Sequence, residues 1–259
     1  MLPQSLAVAA AGLKMPAQQA LHTIATMRCG GVEIDARNQF KPSELSASGI
    51  RQLRKILDDR NLTVRSVRFA TRRGYDTLED LDRRVQATKD AMRLATDLGC
   101  RTLVNSIGKI DGADEERMQV LRDVVQDLAR HSDHHGCFLS AETGSESLTD
   151  LAAFLRSLPE QTVFIALNPA ALISQGYALD DLPAASDLVR CVYAIDAVPD
   201  RSRIDNVAYV PLGQGVVELP QVISVLADQA FVGPYVVDPG YSSDPQASAQ
   251  QALEFLRAL

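Results

Sequence analysis

Six apolar stretches in this chain run out into polar side chains: Glu33-Ile34-Asp35, Asn105, Glu142, Asn168, Asp196 and Asp238. Carboxylates gathered at one end of a set of strands can do two kinds of chemistry. They can pass a proton as a general acid/base pair, or they can hold a hard divalent cation through oxygen. Imidazole, the side chain best suited to both tasks, is missing from these positions. His22, His131, His134 and His135 all fall inside helical patterns or just after one, and the last three close a helix whose C-terminus accounts for them. The chain reads as an acid/base scaffold with a reduced metal-binding set.

The elements that must position these residues alternate regularly. Strands are expected near Ser5–Ala11, Gly31–Ala36, Thr63–Phe69, Thr102–Ile107, Cys137–Thr143, Thr162–Leu167, Val189–Ile195 and Pro234–Val237. Most are near-continuous apolar runs, as parallel strands buried on both faces require. Each interval leaves room for a helix. Ala17, Ala20, Leu21, Ile24 and Met27 share one helical face, and so do Ile50, Leu53, Ile56 and Leu57. Leu78, Leu81, Val85, Met92, Ala95 and Leu98 form a third stripe, ended by Gly99 as a left-handed cap. Met118, Leu121, Val124, Val125 and Leu128 mark a fourth; Leu148, Leu151, Phe154 and Leu155 a fifth; Leu179–Leu188 a weak sixth. Leu219, Val222, Ile223 and Leu226 precede the last strand, and Ala252, Leu253, Phe255 and Leu256 close the chain.

Strict alternation with eight strands predicts an α/β fold, a single (β/α)8 TIM barrel spanning 1–259. An open doubly wound sheet is the runner-up, but no GxGxxG follows the first strand. In such a barrel the polar strand ends line the active-site mouth.

Composition sets the outer limits. Hydrophobic residues at 46% and charged residues at 23% are ordinary for a folded protein. A net charge of −7 argues against a nucleic-acid or anionic-membrane surface. Leu6–Ala11 is apolar but lacks a basic flank and a long apolar core, so it reads as the first strand and not a signal peptide. No apolar run approaches the ~20 residues of a membrane helix. Cys29, Cys100, Cys137 and Cys191 are widely spaced, form no CxxC pair, and fit buried free thiols in a cytoplasmic protein. Oligomeric state is left open, a homo-oligomer included.

Three stretches carry a family resemblance. Glu79-Asp80-Leu81-Asp82-Arg83-Arg84-Val85 through Lys89-Asp90-Ala91 to Leu94-Ala95-Thr96-Asp97-Leu98-Gly99 resembles the third helix of the sugar phosphate isomerase/epimerase family, the xylose isomerase-like TIM barrels. Pro211-Leu212-Gly213-Gln214-Gly215-Val216-Val217-Glu218-Leu219-Pro220, then Val225-Leu226 and Phe231-Val232-Gly233-Pro234-Tyr235-Val236-Val237-Asp238, resembles its GEG loop, helix and closing strand. Gly31-Val32-Glu33-Ile34-Asp35 resembles its second strand. The resemblance implies a divalent metal held by Glu, Asp, His and Glu at the ends of strands five to eight, with two Glu residues moving a proton between substrate carbons. On this sequence the fifth-strand Glu falls on Glu142, the sixth-strand Asp on Asn168, and a nearby His on Ala171. The seventh-strand HxxD falls on Tyr193-Ala194-Ile195-Asp196, the last Glu on Asp238, and the GEG Glu on Gln214.

The expected site follows. Glu142 and Asp238 are the catalytic pair; Glu33, Arg68, Asn105, Tyr193, Asp196 and Arg201 surround the substrate; Glu142, Asn168 and Asp238 form the metal set. Replacing one carboxylate by Asn and the imidazole by Tyr weakens any Mn²⁺ or Mg²⁺ site. Each residue also has a plainer role: Asp238 as a cap of the Pro239-Gly240-Tyr241 turn, Asn168 as a turn residue before Pro169. Arg68, Arg72, Arg73, Lys109, Arg201 and Arg203 follow strands and suggest an anionic substrate such as a sugar phosphate or sugar acid. Two functions therefore compete: an isomerase or epimerase of a small polyhydroxylated substrate, and a metal-free small-molecule-binding barrel. A lyase on the same scaffold is also compatible. A multi-zinc nuclease lacks its histidines.

Overall fold

The computed structural model describes residues 5–204 and 206–259. Its strands are β1 (Leu6–Ala9), β2 (Gly31–Asp35), β3 (Thr63–Arg68), β4 (Thr102–Asn105), β5 (Phe138–Glu142), β6 (Phe164–Leu167), β7 (Val189–Tyr193), β8 (Asp196–Pro199), β9 (Val207–Val210) and β10 (Tyr235–Val237). Eight of them close a barrel in the order β1-β10-β7-β6-β5-β4-β3-β2, and β8 and β9 form a separate two-stranded sheet. Every pairing in the barrel is parallel. The expected (β/α)8 architecture is the observed one.

Alternation along the strands divides the barrel's two faces. Leu6, Val8, Val32, Ile34, Val64 and Val67 belong to the large outer core beneath the helices. Ala7, Ala9, Val104, Ala166, Cys191, Tyr193 and Val236 form a separate inner core. Small side chains dominate this interior. They leave volume near the top for the ring of Tyr193, which is fully buried.

The helices are α1 (Ala17–Thr26), α2 (Ala47–Asp58), α3 (Leu81–Asp97), α4 (Glu115–His135), α5 (Leu148–Arg156), α6 (Pro169–Ser174), α7 (Leu182–Ala185), α8 (Leu219–Asp228) and α9 (Pro245–Ala258). Several start on side-chain caps. Ser46, Asp114, Ser147, Asn168 and Asp244 each accept the backbone N–H three residues on, a contact worth ~1 kcal/mol. Gly99 has the left-handed conformation expected of it, with φ +74°. Among the described residues no helix is long and apolar enough to cross a membrane.

Three expectations are corrected. The seventh strand does not run to Ile195: the amide of Ile195 donates back to the carbonyl of Tyr193, turning the chain out of the barrel into the β8–β9 hairpin. Asp196 therefore opens the hairpin instead of ending a barrel strand. The sixth helix expected over Leu179–Leu188 shrinks to the four-residue α7 and a 3-10 turn at Ser186–Leu188, and α6 lies before it, ahead of Gly176 at φ +80°. Leu78 is 68% exposed and precedes α3, so it does not join that helix's buried stripe.

Candidate active site

The second strand carries a β-bulge between Val32 and Glu33, which brings Glu33 opposite Ser66 of β3. Such irregularities re-aim side chains. Here the Glu33 carboxyl accepts hydrogen bonds from Ser66 Oγ at 2.7 Å and from the Tyr193 hydroxyl at 3.0 Å, and the residue is 2% exposed. Burial pushes its pKa up to about 7, despite opposing help from Arg68, Ser66 and Tyr193; the charge of Asp238 adds to the rise. Glu33 thus ties together β2, β3 and β7 beneath the mouth and is covered by Tyr193, whose own hydroxyl burial holds well above the usual phenol range.

This has a consequence for stability. From the ordinary value of 4.5 up to about 7 the folded protein retains a proton that the unfolded chain has lost. The contribution is fully present below pH 4.5 and is lost as pH rises through 7. Its size is about 3 kcal/mol. Glu146, also raised to about 7 by burial, acts in the same direction. Denaturant titrations of the wild type between pH 5 and 8 are expected to show falling stability, and Glu33→Gln is expected to flatten part of the slope. Equal slopes in the two proteins would contradict the assignment.

Above Glu33 lies an ion pair. Arg68, the last residue of β3, places Nη2 2.9 and 2.7 Å from the two oxygens of Glu142, the last residue of β5. The Arg68 guanidinium stands over the Tyr193 ring, 5.0 Å from its centroid. Burial works against its charge, but Tyr193, Glu142, Glu33 and Asp238 outweigh burial and hold Arg68 firmly protonated. Asn168 completes the pair by donating from Nδ2 to Glu142 Oε1 at 2.9 Å. Its Oδ1 accepts the amide of Ala171 at 3.2 Å. A backbone amide can only donate, so the orientation of the Asn168 side chain is fixed.

These contacts bear on the metal set that the resemblance implies. A ligand set of Glu142, Asn168 and Asp238 needs three oxygens facing one point. Both Glu142 oxygens face Arg68, Asn168 turns its NH₂ inward, and Asp238 Oδ1 accepts the amide of Gly240 at 3.0 Å. Among the described residues no three His, Cys, Asp or Glu side chains are grouped as a metal requires. None of the three residues has a sealed polar atom awaiting a partner; the orphan on β5 is the neutral hydroxyl of Ser140. The residues present do not fit the divalent ion that the resemblance implies.

The remaining expected residues separate. Asn105 is 1% exposed; its Oδ1 accepts from Thr71 N and Oγ1, and its Nδ2 donates to Tyr75, whose hydroxyl meets Thr88. That network anchors the loop after β3. Asp35 closes a turn by accepting from the amides of Arg37 and Asn38. Asp196 is also withdrawn from the mouth, accepting from the amides of Ala197, Gly213, Gly215 and Val217 at 2.8–3.0 Å. Arg201 is exposed in the turn joining β8 to β9. Arg73 pairs with Glu79 and Lys109 with Asp111. His131 and His135 stack at the end of α4, 4.0 Å between centroids, on the opposite side of the barrel from the mouth. Sequence reasoning missed Ser66, Thr71 and Thr143, the last of which exchanges hydrogen bonds with the backbone of Asn168. Hydroxyls on strands carry no sequence signal that separates such roles from packing.

Glu142, Ser106, Lys109, Gly144, Ser145 and Gln175 border a cavity of about 430 Å³ at the strand ends, within the range of small-ligand sites. A larger cleft of about 710 Å³ lies outside, where Arg37, Arg72 and Arg83 face Glu79 and Asp90. The first reaches the strand-end groups through Glu142; Arg68 and Asp238 line neither.

Comparison with known proteins gives a consistent result. A family model described as "Xylose isomerase-like TIM barrel" matches residues 21–259. No curated protein matches the sequence significantly. Among solved structures, a xylose isomerase domain protein from Planctomyces limnophilus is similar at TM-score 0.84 and 22% identity, over 98% of this chain and 96% of that one. An IOLI protein with a bound zinc atom is similar at TM-score 0.81 and 15% identity, over 98% and 97%. A D-allulose 3-epimerase from Methylomonas sp., in complex with D-allulose, is similar at TM-score 0.77 and 17% identity, over 98% and 96%.

Proposed function

Because this chain belongs to the xylose isomerase-like TIM barrel family, we propose that it is an isomerase or epimerase of a small polyhydroxylated carbonyl compound, working by proton transfer at the strand-end mouth. The observation that carries this reading is the convergence of Glu142, Asp238 and Arg68 at the C-terminal ends of three barrel strands, the functional face of this fold. The epimerase likeness supports the substrate class. Asp238 is the base. Its Oδ1 is committed to Gly240, while Oδ2 has no partner among the described residues. Oδ2 takes the proton from the carbon beside the carbonyl; the C–H electron pair forms the enediol double bond, and the carbonyl π pair moves onto oxygen. Return of that proton, or of one Asp238 has exchanged with solvent, from Oδ2 to carbon restores the carbonyl in the product, while Glu142 stays ionised in its pair with Arg68.

The reading favours an uncharged substrate over an anionic one. Of the cations expected to rim the mouth, Arg73 and Lys109 pair with Glu79 and Asp111, Arg201 and Arg203 stand on the outer hairpin, and Arg72 lines the outer cleft. Arg68 brings one charge to Glu142, Asp238 and the partly ionised Glu33, and a further anion would be repelled. We also read the protein as cytoplasmic, since its four cysteines are buried and free. A second reading, a binding barrel without turnover, draws on the Arg68–Glu142 pair, which ties up one of the two carboxylates.

Solvent exchange separates the two. Incubated in D₂O with ketohexoses and ketopentoses, the protein is expected to introduce deuterium at the carbon beside the carbonyl, detected by NMR. Asp238→Asn should slow this by roughly 10²–10⁴-fold. Ligand-induced stabilisation without exchange would favour the binding barrel. Neither exchange nor stabilisation by any of these sugars would overturn both.

A further inference from the structure

We propose that Arg68 is the built-in electrophile of this site: its guanidinium takes the part of a divalent cation and holds the substrate's carbonyl oxygen, so that the protein works without metal. The inference rests on the reading of the strand-end mouth as the substrate site. Four observations carry it. First, Arg68 is where the negative groups of the mouth meet: Nη2 lies within 2.9 Å of both Glu142 oxygens, and Glu33 and Asp238 act on it electrostatically. A cation in contact with one carboxylate and in the field of two more takes the electrostatic place of a metal ion. Second, the guanidinium is fixed in place, clamped between the Glu142 carboxylate and the Tyr193 ring. Preorganised charge of this kind stabilises developing negative charge without rearrangement.

Third, Arg68 retains donors for a ligand. Only Nη2 is engaged; among the described residues neither Nε nor Nη1 has an acceptor, and neither is a sealed atom. The Nε–H points to the Nη2 side and away from Nη1, so Nη1, with its own two N–H donors, is the group left to meet a carbonyl oxygen. Fourth, the residue facing the pair agrees with a cation that is already present. Asn168 turns its NH₂, and not its oxygen, toward Glu142. When the proton moves to Asp238 Oδ2, the electron pair accumulates on the carbonyl oxygen beside Nη1, and Arg68 keeps its own protons throughout.

The test begins without substrate. Full-length protein is treated with EDTA, exchanged into buffer and titrated with millimolar Mn²⁺, followed by the EPR signal of free Mn²⁺ and by thermal shift. Wild type is expected to leave the Mn²⁺ signal undiminished and its Tm unmoved. Arg68→Gln, which strips three carboxylates of their counter-ion, is expected to take up Mn²⁺ and to gain several degrees in Tm; Arg68→Lys, which keeps the charge, is expected to bind none. Uptake by wild type would overturn the proposal, as would an Arg68→Gln protein that folds but ignores Mn²⁺. If Arg68→Gln does not fold, the wild-type and Arg68→Lys titrations still decide. With a ketose that exchanges deuterium, the EDTA-treated wild type should keep its full rate, and Arg68→Lys should lose roughly 10²–10³-fold in kcat with a smaller change in KM. A rate abolished by EDTA and restored by Mn²⁺ would refute metal independence. Absence of exchange with every sugar would remove the isomerase reading while the Mn²⁺ titrations stand on their own.

Discussion

Replacing Glu142 alone with leucine is expected to destabilise the protein more than replacing Glu142 and Arg68 together. Glu142 has 12% of its side chain exposed and Arg68 28%, so the pair is largely but not wholly removed from water. Removing the carboxylate leaves Arg68 with one engaged nitrogen released and only Glu33 and Asp238 nearby as negative groups. Breaking a fully buried pair costs about 3–5 kcal/mol. Solvent access at the mouth and the remaining carboxylates reduce this, and about 2–3 kcal/mol is expected for Glu142→Leu. The double change Arg68→Met with Glu142→Leu removes both charges and keeps volume, so part of the loss should return. Urea denaturation of wild type, the two single variants and the double variant at pH 7 forms the cycle. Additive losses would mean that the two side chains do not act as a pair, and the site described above would need rebuilding.

The second large effect lies outside the mouth. Asp196→Asn is expected to cost about 3–5 kcal/mol, because two or more charge-assisted hydrogen bonds are lost and amide donors then face an NH₂ group. In wild type the two Asp196 oxygens accept four backbone amides, three of them from the segment Gly213–Val217. Asparagine offers one oxygen. The segment is fitted closely: a Cβ added to Gly215 would collide with Asp196 Oδ1 and the carbonyl of Ala197. For a chain of this size the loss corresponds to a fall in Tm of roughly 10 °C. Hydrogen exchange should show the amides of Gly213, Gly215 and Val217 losing protection in the variant while those of β4 and β5 keep theirs. Unchanged protection at these three amides would mean the clasp is held by something else.

Both effects separate what local sequence conveys from what it does not. The barrel was readable because its strands are short apolar runs and its helices repeat with a 3.6-residue period, signals set by each segment's own burial pattern. The inward direction of Glu33, Arg68, Glu142 and Tyr193 followed from position at strand ends, and these residues do come together. Asp196 had the same strand-end signature as Glu142, yet one hydrogen bond, from the Ile195 amide to the carbonyl of Tyr193, marks the turn that carries it out of the barrel. The β8–β9 hairpin was missed for a related reason: four-residue strands joined by a polar loop do not differ in pattern from an irregular connection.

Amino-acid order alone determined the architecture, the family likeness and the exchange of ligand-type residues at Asn168, Tyr193 and Asp238, because each depends on residue type within a few positions of chain. Only the tertiary structure decided what fills the place those exchanges opened. Arg68 and Glu142 are 74 residues apart in sequence; Tyr193 and Glu33 are 160 apart. Whether a carboxylate serves a metal, a guanidinium or a row of backbone amides depends on which donors arrive within about 3 Å, and closing the barrel is what brings them there.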